Sequence, residues 1–294
     1  MEKNFTENKK TEAISIVAVF VIMVLMNIGL SRLINALYDK GVDIPLIVYG
    51  TLIEVAIMIP AIVYIRMKGE NLLESLGFHK VKITTMLLTV LLTLLSMPLY
   101  MCANVLSQIF VPNTVVQASS QLLSGSLLAS WFVMTIAAPI CEEIAIRGFC
   151  FNRFRKVTSL LVAAFVSAVM FGIIHLNINQ MCYAIVLGVV FALANFASGS
   201  IWTSITMHFL VNNIGFLTLA AANAAMEAVG GSLADDAEAI RTGGNMMLTT
   251  GIVLLIISIG FSFLIRKVLR RIAKNENNKE AMEFFGGKKE KEVA

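Results

Sequence analysis

The sequence predicts an all-α fold, a polytopic integral membrane helix bundle with about eight transmembrane helices. The first observation is composition, because 57% of the 294 residues are hydrophobic and only 14% are charged, whereas about a quarter are charged in a soluble domain. The second is a mean hydropathy of +0.81. The third is that apolar runs recur at or near the length of about 20 residues that a helix needs to cross a bilayer. These observations exclude a soluble enzyme with a single anchor.

Eight apolar segments define the predicted spans. They are residues 13–37, 44–65, 83–111, 127–149, 159–175, 180–197, 200–221 and 246–264. The first is too long, and followed by too many further spans, for a cleaved signal peptide, so we expect it to remain in the protein. The four cysteines lie in or beside these runs without a Cys-x-x-Cys spacing, which indicates buried free thiols.

The basic residues predict the orientation, because lysine and arginine are retained in cytoplasmic loops. They cluster before the first span and after the second, fourth and eighth spans, for example at Lys9, Lys68, Arg153 and Arg270. The alternate loops are neutral or acidic. Both termini are therefore predicted to be cytoplasmic, with a basic tail over residues 274–294 that we expect to be disordered or to lie on the membrane surface. The sequence has no basic patch interleaved with aromatic residues, the pattern that would indicate nucleic acid as a partner.

Ionisable residues inside the fourth, fifth and seventh apolar segments form a candidate group, and each costs at least a few kcal/mol there. Glu142, Glu143 and Arg147 occupy the fourth segment, His175 the fifth and His208 the seventh. A helical rise of 1.5 Å per residue places Glu142 and His208 roughly 12 Å, and His175 roughly 20 Å, from the cytoplasmic boundary. Helix tilt can close that difference, so one shared buried site is feasible.

Spacing along the fourth segment separates the two carboxylates. Glu143 and Arg147 are four residues apart and share a helix face, so we expect them to neutralise each other. Glu142 is displaced from Glu143 by about 100° around the helix axis and can face the bundle interior. This makes Glu142 the better candidate for a general base. Pro139 removes a backbone donor one turn earlier, and a kink there would admit water beside the Glu142 carboxylate.

The other two segments each carry a pair four residues apart. His208 and Asn212 share a face, and an imidazole with an amide is a plausible couple for stabilising an oxyanion. Phe171 and His175 share a face, with the phenyl ring expected to form a packing wall. Asn177 and Gln180 are expected to belong to a short extracytoplasmic turn, although Gln180 could also line the cavity.

Three motifs in this order on successive apolar helices resemble a known family. They are Glu142-Glu143-x-x-x-Arg147, Phe171-x-x-x-His175 and His208-x-x-x-Asn212. The pattern is similar to the CAAX-protease and bacteriocin-processing family (CPBP, or Abi) of intramembrane proteases, related to the type II CAAX prenyl endopeptidases. The resemblance covers about residues 127–216.

The resemblance implies peptide-bond hydrolysis within the membrane. Carried onto this chain, it makes Glu142 the base that activates water, with His175 holding the water or a metal, and His208 with Asn212 binding the oxyanion or a metal. Glu143 and Arg147 become supporting residues. It also divides the chain into N-terminal helices 1–3 (1–126), a catalytic core of helices 4–7 (127–221), and an extracytoplasmic loop, helix 8 and basic tail (222–294). The expected location is a bacterial cell membrane, and the expected partners are the lipid bilayer and a peptide or membrane-protein substrate.

Metal dependence stays open at the level of the sequence. Catalytic zinc usually has three protein ligands, and His175, His208 and Glu142 could supply them. That assignment would use Glu142 as a ligand and leave no unpaired carboxylate as base, whereas a metal-free glutamate mechanism uses the same residues. The family is commonly labelled as one of metalloproteases, and the residues permit either chemistry.

Two other functions remain alternatives. A protein of the same fold could act as a catalytically silent immunity or scaffold factor, and the intact motif set argues only weakly against that. A transporter also places charged residues at mid-membrane. The absence of paired Gly/Pro-interrupted spans and the clustering of ionisable residues on three helices disfavour it.

Overall fold

The computed structural model describes residues 2–123, 125–242 and 245–286, with side chains from residue 7 onward, and all regular secondary structure in these ranges is helical. The long helices are α1 (Glu2–Asp39), α2 (Leu46–Met67), α3 (Ile83–Gln108), α4 (Leu127–Val157), α5 (Leu160–Ile174), α6 (Ile178–Ser198), α7 (Ile201–Ala228) and α8 (Met246–Asn275). The short helices are Leu72–Leu76, Thr114–Gln117, Ser119–Leu123, Leu233–Thr242 and Lys279–Phe284. The predicted all-α bundle is confirmed.

One predicted span is shorter than expected. Within the described ranges, seven helices are long and apolar enough to cross a membrane, and α5, with 15 residues, is not one of them. Fifteen residues extend about 22 Å, which is less than the roughly 30 Å of a hydrocarbon core. The sequence located this segment to within one residue at each end, and the helix approaches the length of a full span without reaching it.

The turn between α5 and α6 ends α5 within one residue of the predicted position. His175 caps α5, Leu176 adopts a left-handed φ of 53°, and the Asn177 side chain accepts a hydrogen bond from the Gln180 N–H at 3.2 Å to start α6. Asn179 then donates to Ser107 Oγ of α3 at 2.8 Å. Irregular backbone at membrane depth is tolerated where protein groups satisfy it, so this turn can place His175 inside the bundle.

Helix α4 forms the centre of the bundle and packs against α2, α5, α6 and α7. α4 and α6 are the most deeply buried of the long helices, and α8 is the most exposed. α8 packs mainly on α3 and presents apolar side chains outward, among them Ile252, Val253 and Ile256. An apolar outer surface is expected where the surrounding medium is lipid.

Helices α5 and α6 approach each other closely at Gly188. A Cβ atom at this position would lie 2.7 Å from Ala168 Cβ and 3.1 Å from Arg147 Nη2. We therefore expect Gly188→Ala to lower the free energy of unfolding by about 1–3 kcal/mol through overpacking. The measurement is the midpoint of thermal unfolding in detergent.

Gly260→Ala is the matched control, because a Cβ at Gly260 of α8 meets nothing within 4 Å. Alanine is the better helix former, so this variant is expected to be as stable as the wild type or slightly more stable. Equal midpoints for the Gly188→Ala and Gly260→Ala variants would contradict the close packing of α5 against α6.

A buried arginine ties the end of α4 to its neighbours. Arg153 contacts Glu12 of α1 and Glu70 after α2, each at 2.5 Å. Its guanidinium also lies 4.9 Å from the Tyr64 ring centroid. The hydrogen bond from Arg153 is the main reason that the pKa of Glu70 is lowered. The sequence placed Arg153 in a loop after residue 149, but α4 continues to Val157 and makes it part of the helix.

The segment after α8 is ordered as far as residue 286. Asn278 donates to the Phe196 carbonyl of α6 at 2.7 Å, and the buried Phe285 ring lies 6.1 Å from the Phe196 ring. Of the two alternatives predicted for the tail, disorder is therefore wrong for residues 274–286, and a position on the membrane surface stays a prediction. Residues 287–294 of the predicted tail lie outside the described residues.

Candidate active site

The three motifs converge on one carboxylate oxygen. Glu142 Oε2 of α4 lies 3.9 Å from His175 Nε2, at the end of α5, and 3.7 Å from His208 Nε2 of α7. These atoms border a cavity of about 300 Å³. Its polar lining residues are Asn27, Glu54, Glu142, His175, Gln180, Tyr183, His208 and Asn212. The structure thus brings together the residues that the sequence nominated, although they come from separate helices.

Pro139 shapes α4 just before Glu142. The segments Val133–Ala137 and Ile144–Phe151 are π-helical, and Pro139 lies in the first turn of the α-helical segment Ala138–Glu143 between them. In the wider π-helical pattern, residue 139 would donate to the carbonyl five residues earlier, that of Met134. Proline has no N–H to donate, and Asn212 Nδ2 of α7 donates to the Met134 carbonyl instead, at 2.8 Å.

This hydrogen bond fixes Asn212 at the cavity. The amide nitrogen carries two hydrogens, and the bond to Met134 uses one of them. Because Asn212 also lines the cavity, its second N–H is available to a bound group. The predicted oxyanion role is therefore compatible with the observed contact.

Glu142 Oε2 is buried and has no hydrogen-bond partner among the described residues. The two imidazole nitrogens are too distant for direct hydrogen bonds, but a single water molecule could contact both Glu142 and an imidazole across gaps of 3.7–3.9 Å. A buried polar atom without a partner calls for an explanation such as a bound water or ligand. Here the geometry suits a water molecule held against the carboxylate.

The Nδ1 atoms of His175 and His208 both have hydrogen-bond partners. His175 Nδ1 lies 2.7 Å from the Phe171 carbonyl oxygen, and His208 Nδ1 lies 3.1 Å from Glu143 Oε1. Carbonyl and ionised carboxylate oxygens only accept hydrogen bonds, so each Nδ1 carries the hydrogen and donates. Each Nε2 is thereby directed at the cavity. The Phe171 ring stands edge-on to both imidazoles, with centroids 5.0 Å and 5.3 Å away, which agrees with its predicted role as a wall.

The predicted Glu143–Arg147 pair is present, with Arg147 Nη1 2.7 Å from Glu143 Oε1 and both side chains fully buried. The Arg147 guanidinium also stacks on Phe171, 4.1 Å from the ring centroid. The sequence did not predict that Glu143 would also accept a hydrogen bond from His208. This contact links the ion pair to one of the candidate catalytic histidines.

Sequence reasoning missed Glu54 and Tyr183, and it favoured a turn position over a cavity position for Gln180, which in fact lines the cavity. The signal for Glu54 was present, because it is the only acidic residue in the apolar segment 44–65. An unpaired carboxylate within a span is a functional candidate by itself.

The nitrogen and oxygen atoms of the candidate site are of the kind that zinc binds, but the distances between them do not match those in a zinc site. Histidine ligands commonly donate their second N–H to a carbonyl or carboxylate, as His175 and His208 do here. Tetrahedral zinc with bonds of about 2.0–2.1 Å holds its ligand atoms roughly 3.4 Å apart, whereas the observed separations are 3.7 Å and 3.9 Å. Among the described residues, no group of three His, Cys, Asp or Glu side chains is arranged to hold a metal ion. The arrangement of these three residues therefore does not fit a zinc site.

Fold and site together define a polytopic helical membrane protein with a buried carboxylate–imidazole centre. Residues 124–214, which include all three motifs, match the family "Type II CAAX prenyl endopeptidase Rce1-like". The predicted resemblance to the CAAX proteases is confirmed for this part of the chain.

One curated relative also supports a membrane peptidase. The protein named "Putative membrane peptidase YdiL" of Bacillus subtilis (strain 168) is 31% identical over 80 residues, which cover 27% of this chain and 33% of that protein. The alignment thus spans about a third of the relative's length. No solved structure matches the chain significantly. The family match and this relative support a membrane peptidase.

Proposed function

We propose that this protein is an intramembrane endopeptidase that hydrolyses a peptide bond of a membrane-associated or peptide substrate. The observation that carries the proposal is the buried Glu142 Oε2, which has no partner among the described residues and faces the Nε2 atoms of two histidines across less than 4 Å. The match of residues 124–214 to a CAAX endopeptidase family supports the same reaction class.

The two histidines take different roles because their Nδ1 partners differ. His208 donates to Glu143, and a carboxylate stabilises the positive charge that forms when Nε2 is protonated. His175 donates to a neutral carbonyl, so it remains neutral and keeps a lone pair on Nε2. In the protonation state that this mechanism requires, protonated His208 balances the charge of ionised Glu142, as Arg147 balances that of Glu143.

Hydrolysis follows from this arrangement. A water molecule donates one hydrogen to Glu142 Oε2 and the other to His175 Nε2. Glu142 takes the proton, the hydroxide oxygen bonds to the scissile carbonyl carbon, and the carbonyl oxygen becomes an oxyanion. His208 Nε2–H and the second Asn212 N–H donate to that oxyanion. The carbon–nitrogen bond then breaks, and the proton on Glu142 moves to the leaving amine nitrogen.

Metal removal separates this scheme from a zinc-dependent one. We expect the cleavage rate of detergent-purified protein to stay within about twofold after chelation, with metal loss verified by elemental analysis, because Glu142 acts as a base rather than a ligand. Zinc readdition is expected to give no stimulation. Loss of cleavage on chelation with recovery on zinc readdition would contradict the metal-free mechanism.

The substrate can be sought directly in the membrane. The membrane peptidome of cells that contain the protein is compared with that of cells that contain a Glu142→Gln variant at the same level. Peptides that appear only with the wild type identify the cleavage products. Identical peptidomes, together with no cleavage of any peptide by the purified protein, would reject the proposed function.

A further inference from the structure

A second carboxylate, Glu54 of α2, lines the same cavity as Glu142. Its Oε2 atom is buried without a hydrogen-bond partner among the described residues, and so is Thr51 Oγ1 one turn earlier. Residues three apart share a helix face. This face of α2 therefore holds two polar atoms whose hydrogen-bonding capacity nothing in the described chain satisfies.

Ionised Glu54 would also have no counter-charge at the cavity. Arg147 pairs with Glu143, and in the proposed mechanism protonated His208 offsets Glu142. Among the described residues that line the cavity, none is a lysine or an arginine. An ionised carboxylate that is removed from water without a cationic partner is strongly destabilised. A cation that enters the cavity would relieve both the desolvation of Glu54 and its repulsion from Glu142.

Glu54 is positioned to contact a substrate side chain that approaches the cavity along α2. Its neighbour Ile53 borders both the catalytic cavity and a second cavity of about 510 Å³. The polar side chains that line this second cavity are Ser31, Asn35, Tyr38, Tyr49 and Gln121. Glu54 thus lies beside a residue that borders both cavities and lines the same cavity as Glu142.

We infer that Glu54 is a recognition residue that binds a cationic nitrogen of the substrate, so that the preferred substrates carry a lysine or arginine side chain, or a free amine, close to the scissile bond. The inference rests on the proposed peptidase function and specifies its substrate class. An acceptor-only carboxylate matches the donor-only ammonium and guanidinium groups in both charge and hydrogen bonding.

Binding of small non-cleavable probes tests the inference independently of catalysis. Arginine amide is compared with citrulline amide, and lysine amide with norleucine amide, by calorimetric titration of the full chain in detergent. The wild type is expected to bind at least one cationic probe tenfold or more tightly than its neutral counterpart. Glu54→Gln is expected to abolish this difference, and Glu54→Asp is expected to retain it.

Glu280→Gln is the matched control, because it removes a carboxylate whose side chain is 70% exposed and that pairs with Arg155 outside the cavity. It is expected to bind the four probes as the wild type does. Thermal unfolding of each variant verifies folding, and if Glu54→Gln does not fold, the comparison of the wild type with Glu54→Asp still tests the cation preference.

Two outcomes would overturn the inference. One is equal binding of charged and neutral probes by the wild type. The other is a cation preference that Glu54→Gln retains. The proposed peptidase function can fail separately from this inference. In that case Glu54 would still determine the binding of cations, but no peptide would be cleaved.

Discussion

A Glu142→Gln variant is expected to fold like the wild type and to lose peptide cleavage, with kcat falling by about 10²–10⁴-fold, the usual contribution of a general base. Glutamine keeps the shape of the side chain and removes its ability to take a proton. The buried Glu142 Oε2 makes no hydrogen bond with the described residues, so the exchange breaks no observed hydrogen bond. Cleavage of a fluorogenic peptide and the unfolding midpoint measure the two effects.

Glu280→Gln serves as the control for this exchange as well, and it is expected to retain full kcat because its carboxylate lies outside the cavity. A Glu142→Ala variant extends the test, since it also removes the side chain that would hold the water. Turnover of either Glu142 variant within about twofold of the wild type would remove Glu142 from the mechanism.

The sequence predicted the parts of the site that depend on spacing within one helix. Glu143 and Arg147 pair because they are four residues apart, and Phe171 lies against His175 for the same reason. The depth of the ionisable residues in their spans also predicted that α4, α5 and α7 could meet at one height. Local periodicity contains this information without any knowledge of how the helices pack.

The contacts between helices could not be predicted, because they depend on how each helix is rotated against its neighbour. His208 donates to Glu143, and Asn212 donates to the Met134 carbonyl, only because α7 turns these side chains towards α4. The end of α4 was also missed. The predicted apolar segment stops at residue 149, but the helix continues to Val157, and Arg153 within this extension pairs with Glu12 and Glu70.

Loss of Glu143 is expected to destabilise the protein more than most single substitutions. Arg147 is fully buried, and among the described ion pairs its anionic partner is Glu143. Glu143→Leu therefore leaves a buried guanidinium without a counter-charge, which is expected to lower the free energy of unfolding by about 3–5 kcal/mol. Glu280→Leu, which breaks the exposed pair with Arg155, is the control and is expected to change stability little.

The double variant Glu143→Leu/Arg147→Met separates the structural role of the pair from its role in catalysis. Replacing both members of a buried ion pair by apolar residues is often neutral, so we expect most of the lost stability to return. Activity is not expected to return, because His208 Nδ1 would lose its carboxylate acceptor and with it the support for a protonated Nε2. Chemical unfolding and peptide cleavage on the same preparations measure the two effects. A double variant that regains both stability and wild-type kcat would show that Glu143 serves Arg147 alone and that His208 functions without it.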